Sequence, residues 1–196
     1  DTSLPQAYTD IAPGDIYHLA TLGLDDAGIT SDCDGASNFC PDQKLQRDTA
    51  AIWLIKAFEG RNYTPTSANG TVFADVGIST FAADYIEDLM LHSGSEGCDT
   101  ATPLPNYCPK QGLTKDQAAK MLLKTKYGAG YNPTPASGLI YDDVTTGTFA
   151  ADFIEALQGE GAAEGCLDNP VLYCPNEMLT RGGFAKLLAN TFGLLP

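Results

Sequence analysis

The chain has 196 residues, 25 acidic and 11 basic, for a net charge of −14. A field of that sign repels phosphate backbones and anionic bilayers, which disfavours nucleic-acid binding. No apolar run approaches the ~20 residues needed to cross a bilayer, so no membrane insertion is expected. Residue 1 is an Asp followed by a polar, Pro-containing lead, as in a secreted chain after leader removal or a domain cut from something longer.

From the N-terminus, "YTDI" (8–11) sets an aromatic before an Asp and a branched residue. A short first helix is expected in "DIYHLATLGL", starting near Ile16. The polar loop "SDCDGASNFCP" then runs from Ser31 to Pro41, with Cys33 and Cys40 inside it. Asp32, Asp34 and Asn38 around Gly35 share part of a calcium-loop pattern but lack its terminal bidentate Glu, so ordinary loop polarity is expected. After Gln46 a second helix is expected, apolar at Ala50, Trp53, Leu54, Ala57 and Phe58. "GRNYTPTSANGT" (60–71) reads as a surface linker and carries Asn-x-Thr sequons at Asn62 and Asn69.

The same order then recurs. "FADV" (73–76) precedes "TFAADYIEDLML", where Phe81, Tyr85 and Leu89 form one helical stripe, with His92 just beyond and Glu87/Asp88 expected on solvent faces. Cys98 and Cys108-Pro109 lead into "LTKDQAAKML", with Thr114 a plausible N-cap. After a second linker (128–139), "YDDV" (141–144) precedes "TFAADFIEALQG", with Phe149, Phe153 and Leu157 in the stripe. Cys166 and Cys174-Pro175 then lead to "LTRGGFAKLL", where Thr180 is the plausible cap and Phe184, Leu187, Leu188, Thr191 and Phe192 the apolar face. Gly182 and Gly183 weaken that first turn by up to ~1 kcal/mol each, so it leans on packing.

Three copies follow: residues 1–60, 73–128 and 141–196, joined by linkers 61–72 and 129–140. One copy has too little apolar area to fold well alone, and three sharing a core repair that. The expected fold class is mainly α, three tandem helix-loop-helix repeats in one compact domain. The cysteines fall into three close pairs without the gaps of a zinc knuckle, and His18 and His92 lie elsewhere. Local disulfides Cys33–Cys40, Cys98–Cys108 and Cys166–Cys174 are expected, each stabilising its loop by about 2–3 kcal/mol and placing the protein outside the cytosol.

These motifs together resemble the S-layer homology repeat: aromatic-x-Asp-Val, a helix, a turn, then "LTR" entering an amphipathic helix. The third copy ("YDDV…LTRGGFAKLL") matches best, and the Cys-containing insert resembles a disulfide-bearing branch. The resemblance implies a three-lobed pseudo-threefold domain, with the first helices gathered as a central three-helix bundle. It also implies binding of cell-envelope polysaccharide in grooves between copies, through a basic residue that falls here on Arg47, Lys115 and Arg181. The matching stretches "QRDT", "TKDQ" and "TRGG" lack the family's Glu, and the only Trp, Trp53, lies on a buried stripe.

Two readings of each candidate site stand side by side. Arg47, Lys115 and Arg181 contact a sugar or anion, or they bridge to an acid of the adjacent copy; a cation at a helix N-terminus opposes the macrodipole and needs some partner. Asp10, Asp75 and Asp143 cap a turn into the first helix, or touch a sugar hydroxyl. Phe39, Tyr107 and Tyr173 pack beneath the disulfide loops or serve as sugar platforms. No motif supplies a catalytic constellation, and no cofactor is implied. The expected function is a non-enzymatic extracellular domain bound to envelope glycan. The alternative is a structural or decorating module that contacts neighbouring proteins of a surface assembly.

Overall fold

The helices begin where a Cys-Pro turn or a short loop releases the chain into an apolar stripe of helical period. The computed structural model describes residues 4–99 and 103–196. It is mainly helical, with α1 (His18–Asp26), α2 (Arg47–Glu59), α3 (Ala83–Ser93), α4 (Lys115–Tyr127), α5 (Ala151–Gly159) and α6 (Arg181–Phe192). A small antiparallel hairpin, β1 (Leu167–Asp168) and β2 (Val171–Leu172), lies between α5 and α6. Three disulfides form as expected, Cys33–Cys40, Cys98–Cys108 and Cys166–Cys174. Such bonds suit an oxidising, extracellular setting. Among the described residues no helix is long and apolar enough to cross a membrane.

The second helix of each segment builds the centre. α2, α4 and α6 pack against one another in every pairing, and Leu54, Leu122 and Leu188 are wholly buried there. The first helices lie outside them: α3 on α2, α5 on α4, and α1 on α6. This corrects the expectation that the first helices form the central bundle. The reason is compositional. α2, α4 and α6 bury Ala pairs (Ala50/Ala51, Ala118/Ala119) or Ala185 and Ala189 alongside the leucines, and small residues let helix axes approach closely.

The entry to each second helix is tied into its neighbours. Leu45 N–H donates to the Leu179 carbonyl (3.0 Å), Leu179 to Leu113 (2.8 Å) and Leu113 to Leu45 (3.2 Å), a closed cycle of three main-chain bonds. One residue pair further on, Arg47 N–H donates to Gln111, Lys115 to Glu177 and Arg181 to Gln43, at 2.8–3.0 Å. A helix N-terminus carries N–H groups with no partner inside the helix. Here carbonyls of an adjacent segment accept them. Side-chain capping is accordingly light: Thr180 Oγ1 accepts from Gly183 N–H (3.1 Å) as expected, whereas the Thr114 hydroxyl turns to Asp116.

Several local expectations change. α3 and α5 start later than the stripe implied, because Ala82 and Ala150 sit in the left-handed region (φ 61° and 55°) and reset the helical phase. Phe81 and Phe149 therefore leave the buried face and are 59% and 55% exposed. Phe58 is also exposed, and His92 falls inside α3 instead of beyond it. Glu87 and Asp88 are buried, not solvent-facing. Glu87 accepts from Asn69 N–H (2.9 Å) and Gly70 N–H (2.8 Å), and Asp84 from Ala68 N–H (2.7 Å). In the other linker, Asp152 and Glu155 hold the N–H groups of Ala136, Ser137 and Gly138 at 2.7 Å. The linkers run over the surface but are clasped to the helix that follows them.

Candidate functional site

Each segment's opening Asp secures its own Cys-Pro turn. Asp10 accepts from Phe39 and Cys40 N–H, Asp75 from Tyr107 and Cys108 N–H, and Asp143 from Tyr173 and Cys174 N–H, all at 2.7–2.8 Å. The three cysteines so held have positive φ (57–59°), a conformation that needs outside support in a non-glycine residue. A two-oxygen carboxylate meets two successive N–H groups and supplies it. The Asp side chains thus fix the second turn of the unit, not the entry to its first helix.

The aromatic before each second cysteine is fully buried and pairs with the segment's opening aromatic: Tyr8 with Phe39, Phe73 with Tyr107, and Tyr141 with Tyr173, at 5.1–5.3 Å between centroids. Burial pushes the Tyr107 and Tyr173 phenols well above their usual range and Tyr8 up to about 12. These rings are core, packed under the disulfide loops.

Each of these rings is also covered by a basic residue from another segment. Arg47 sits over Tyr107 (4.8 Å), Lys115 over Tyr173 (4.5 Å) and Arg181 over Phe39 (4.9 Å). The contacts run from the first segment to the second, the second to the third, and the third back to the first. Arg47, Lys115 and Arg181 are only 2%, 8% and 7% exposed. Arg47 Nε–H donates to the Tyr107 carbonyl (2.8 Å), and its Nη1 to Gln117 (3.2 Å). Arg181 donates from Nε to the Phe39 carbonyl (2.7 Å) and from Nη2 to Ser31 (2.8 Å), and also covers Trp53. Lys115 Nζ donates to the Glu164 carbonyl (3.1 Å). In return Tyr107 and Tyr173 hydroxyls donate to the Arg47 and Lys115 carbonyls (3.0 and 3.2 Å). Burial lowers the pKa of all three cations. The aromatic face and the carbonyls compensate in part for their lost hydration.

The geometry therefore brings each basic residue to a boundary between segments, where its partners are carbonyls, an aromatic face and, for Arg47, the Gln117 side chain. The Asp residues face the disulfide turns. Recesses nonetheless open beside each cation. The one at Lys115 has a volume of about 310 Å³ and is walled by Tyr17, Glu164, Glu177, Thr180 and Lys186. The one at Arg181 is about 290 Å³, beside Gln43, Lys44, Gln46 and Thr49. That at Arg47 is narrower, about 80 Å³, with Glu96, Gln117, Lys120, Lys124 and Phe149. Two rim lysines are paired, Lys186 with Glu164 (2.5 Å) and Lys120 with Glu96 (3.5 Å), and away from the recesses Lys110 pairs with buried Asp48 (2.7 Å). Lys110 and Lys120 also lie over the exposed rings of Phe81 and Phe149 (5.0 and 5.6 Å).

A wall of amide, hydroxyl, carboxylate and ammonium groups around an apolar ring can hydrogen-bond a polyhydroxylated ligand and cover its apolar face. Tyr17, Lys186, Lys120, Phe81 and Phe149 were not singled out for this from the sequence. A signal existed for the lysines, which stand five residues after the basic position in the second and third copies. For the phenylalanines the only signal was a left-handed alanine, which composition does not reveal. In the loop after Ser31, Asp32 and Asp34 accept from the loop's own N–H groups at Gly35 and Ala36, and Asp34 also from Asn38. The Asn38 amide and the Ala36 N–H hold the Asp34 carboxyl below its usual range. No protein-family model matches the chain, and no curated protein matches it.

Proposed function

We propose that the chain is a non-catalytic extracellular module of the S-layer homology type, three repeats in a pseudo-threefold arrangement that bind envelope polysaccharide in the grooves between repeats. The observation that carries this reading is the closed cycle of basic-on-aromatic contacts, which leaves a recess at each of its three junctions. In this reading Arg47, Lys115 and Arg181 hold the groove floors in place. Contact with sugar then falls to side chains at the walls, first Tyr17, Glu177 and Lys186 around the roomiest groove.

Retention on purified cell-wall sacculi, with and without their attached polysaccharide, tests it. The protein should be retained only on the polysaccharide-bearing form, and Lys186→Ala should weaken retention at least about tenfold, the effect of losing one charge-assisted hydrogen bond of about 1.5–3 kcal/mol. A second reading, a structural module of a surface assembly, is favoured by the guanidinium donors already spent on carbonyls. It predicts no retention on either form, together with self-association by sedimentation.

A further inference from the structure

The Asn-Gly-Thr stretch at 69–71 has a feature unrelated to glycan binding. Asn69 is exposed, yet the groups around it are ordered by hydrogen bonds. Its Oδ1 accepts from Thr71 N–H (2.8 Å) and from the Thr71 hydroxyl. The N–H of Gly70, the next residue, donates to Oε1 of buried Glu87 (2.8 Å). Gly70 carries no Cβ to hinder approach and has φ +70°.

We propose that Asn69–Gly70 is a self-modifying site, at which the folded protein converts the Asn69 amide to a succinimide and then to aspartate or isoaspartate. The Gly70 nitrogen attacks Asn69 Cγ as its proton passes to Glu87, forming the N–C bond. The two Thr71 donors stabilise the negative charge that develops on Oδ1, as an oxyanion hole does. The side-chain nitrogen takes the proton back from Glu87 and leaves as ammonia. Water then opens the imide, giving one new carboxylate and either the original or a side-chain-linked backbone. Water is the only co-reactant, and no oxidant or reductant is needed.

The consequence for the fold is specific. The imide has no N–H at residue 70, so Glu87 keeps only the Asn69 N–H of its two donors. Hydrolysis then sets a second carboxylate beside it. The clasp between the first linker and α3 is weakened, whereas its counterpart is immune. There Ser137 stands in the same place, with Ser137 and Gly138 N–H both on Glu155 and the Leu139 N–H on the Ser137 hydroxyl. One junction of the chain carries a chemical clock and the other does not.

Peptide mapping by mass spectrometry of the purified protein, aged at neutral pH and 37 °C, tests this against the same chain held unfolded in guanidinium. The native protein should accumulate succinimide and aspartyl products at Asn69 at least about tenfold faster than the unfolded chain, the modest end of general-base assistance. Glu87→Gln and Thr71→Val should each slow the native reaction, and isoelectric focusing should show the added charge. Circular dichroism checks that each variant folds, and Thr71→Val, altered only at an exposed position, serves if Glu87→Gln does not. A native rate below the unfolded rate would mean that the clasp protects Asn69 and would overturn the proposal. So would a folded variant of either kind that reacts as fast as the parent.

Discussion

Arg181 offers the sharpest test of what the buried cations do. It links the third segment back to the first, and replacement by Met keeps much of the stem's volume while removing the guanidinium. Two short hydrogen bonds to the Phe39 and Ser31 carbonyls are lost, each charge-assisted and about 1.5–3 kcal/mol. The faces of Phe39 and Trp53 lose a cation at 4.9 Å, about 0.5–2 kcal/mol more. Relief of the cation's desolvation offsets part of this, leaving an expected loss of about 3–5 kcal/mol. A domain of this size holds about 5–15 kcal/mol in total, so the change is easily read. Guanidinium denaturation of the oxidised protein, followed by tryptophan fluorescence, should show a lower midpoint with an unchanged slope. Arg181→Lys should recover only part, since an ammonium cannot reproduce the two-pronged geometry. A loss below about 1 kcal/mol for Arg181→Met would refute the structural role and return the side chain to ligand binding.

Three further outcomes follow from named contacts. A Cβ on Gly23 would lie 1.8 Å from the Leu194 carbonyl oxygen, so Gly23→Ala should cost about 1–3 kcal/mol, and deleting residues 194–196 should abolish the difference in a double-mutant cycle of melting curves. Asp75→Ala strips the acceptor from Tyr107 and Cys108 N–H and should cost about 2–4 kcal/mol by denaturant titration, with Asp75→Asn intermediate. Burial pushes the Glu155 carboxyl up, but the N–H groups of Ser137 and Gly138 outweigh it and hold it below the usual carboxylate range. The stability it contributes is present above the ordinary glutamate pKa of about 4.3 and is lost as pH falls through its lower folded value. A Glu155→Gln variant should therefore be less stable than the parent at neutral pH and converge on it in acid, as measured by melting temperature.

How far the chain could be read without coordinates depended on the range of the interactions involved. The paired cysteines, the cap at Thr180, and the buried stripes of Trp53 and Phe184 all follow from residues a few positions apart, and each stands close to where periodicity put it. Phe81 and Phe149 failed because one alanine in a left-handed conformation shifts the phase of everything before it. Glu87 looked solvent-facing because its partners, the N–H groups of 69 and 70, belong to a linker whose path no helical count includes.

Local order in this protein is thus written in spacing. Cysteine pairs close their own loops, and apolar residues at helical intervals mark the six helices of the described residues. The assembly of those helices is decided elsewhere, by contacts that sequence distance hides: Arg181 on Phe39, Leu45 on Leu179, α1 on α6. A buried cation and an unpaired helix N–H each demand a partner, and the chain cannot name that partner until three segments meet. The sequence therefore identified the residues that needed something at each junction, and only the tertiary structure decided that the neighbouring segment provides it.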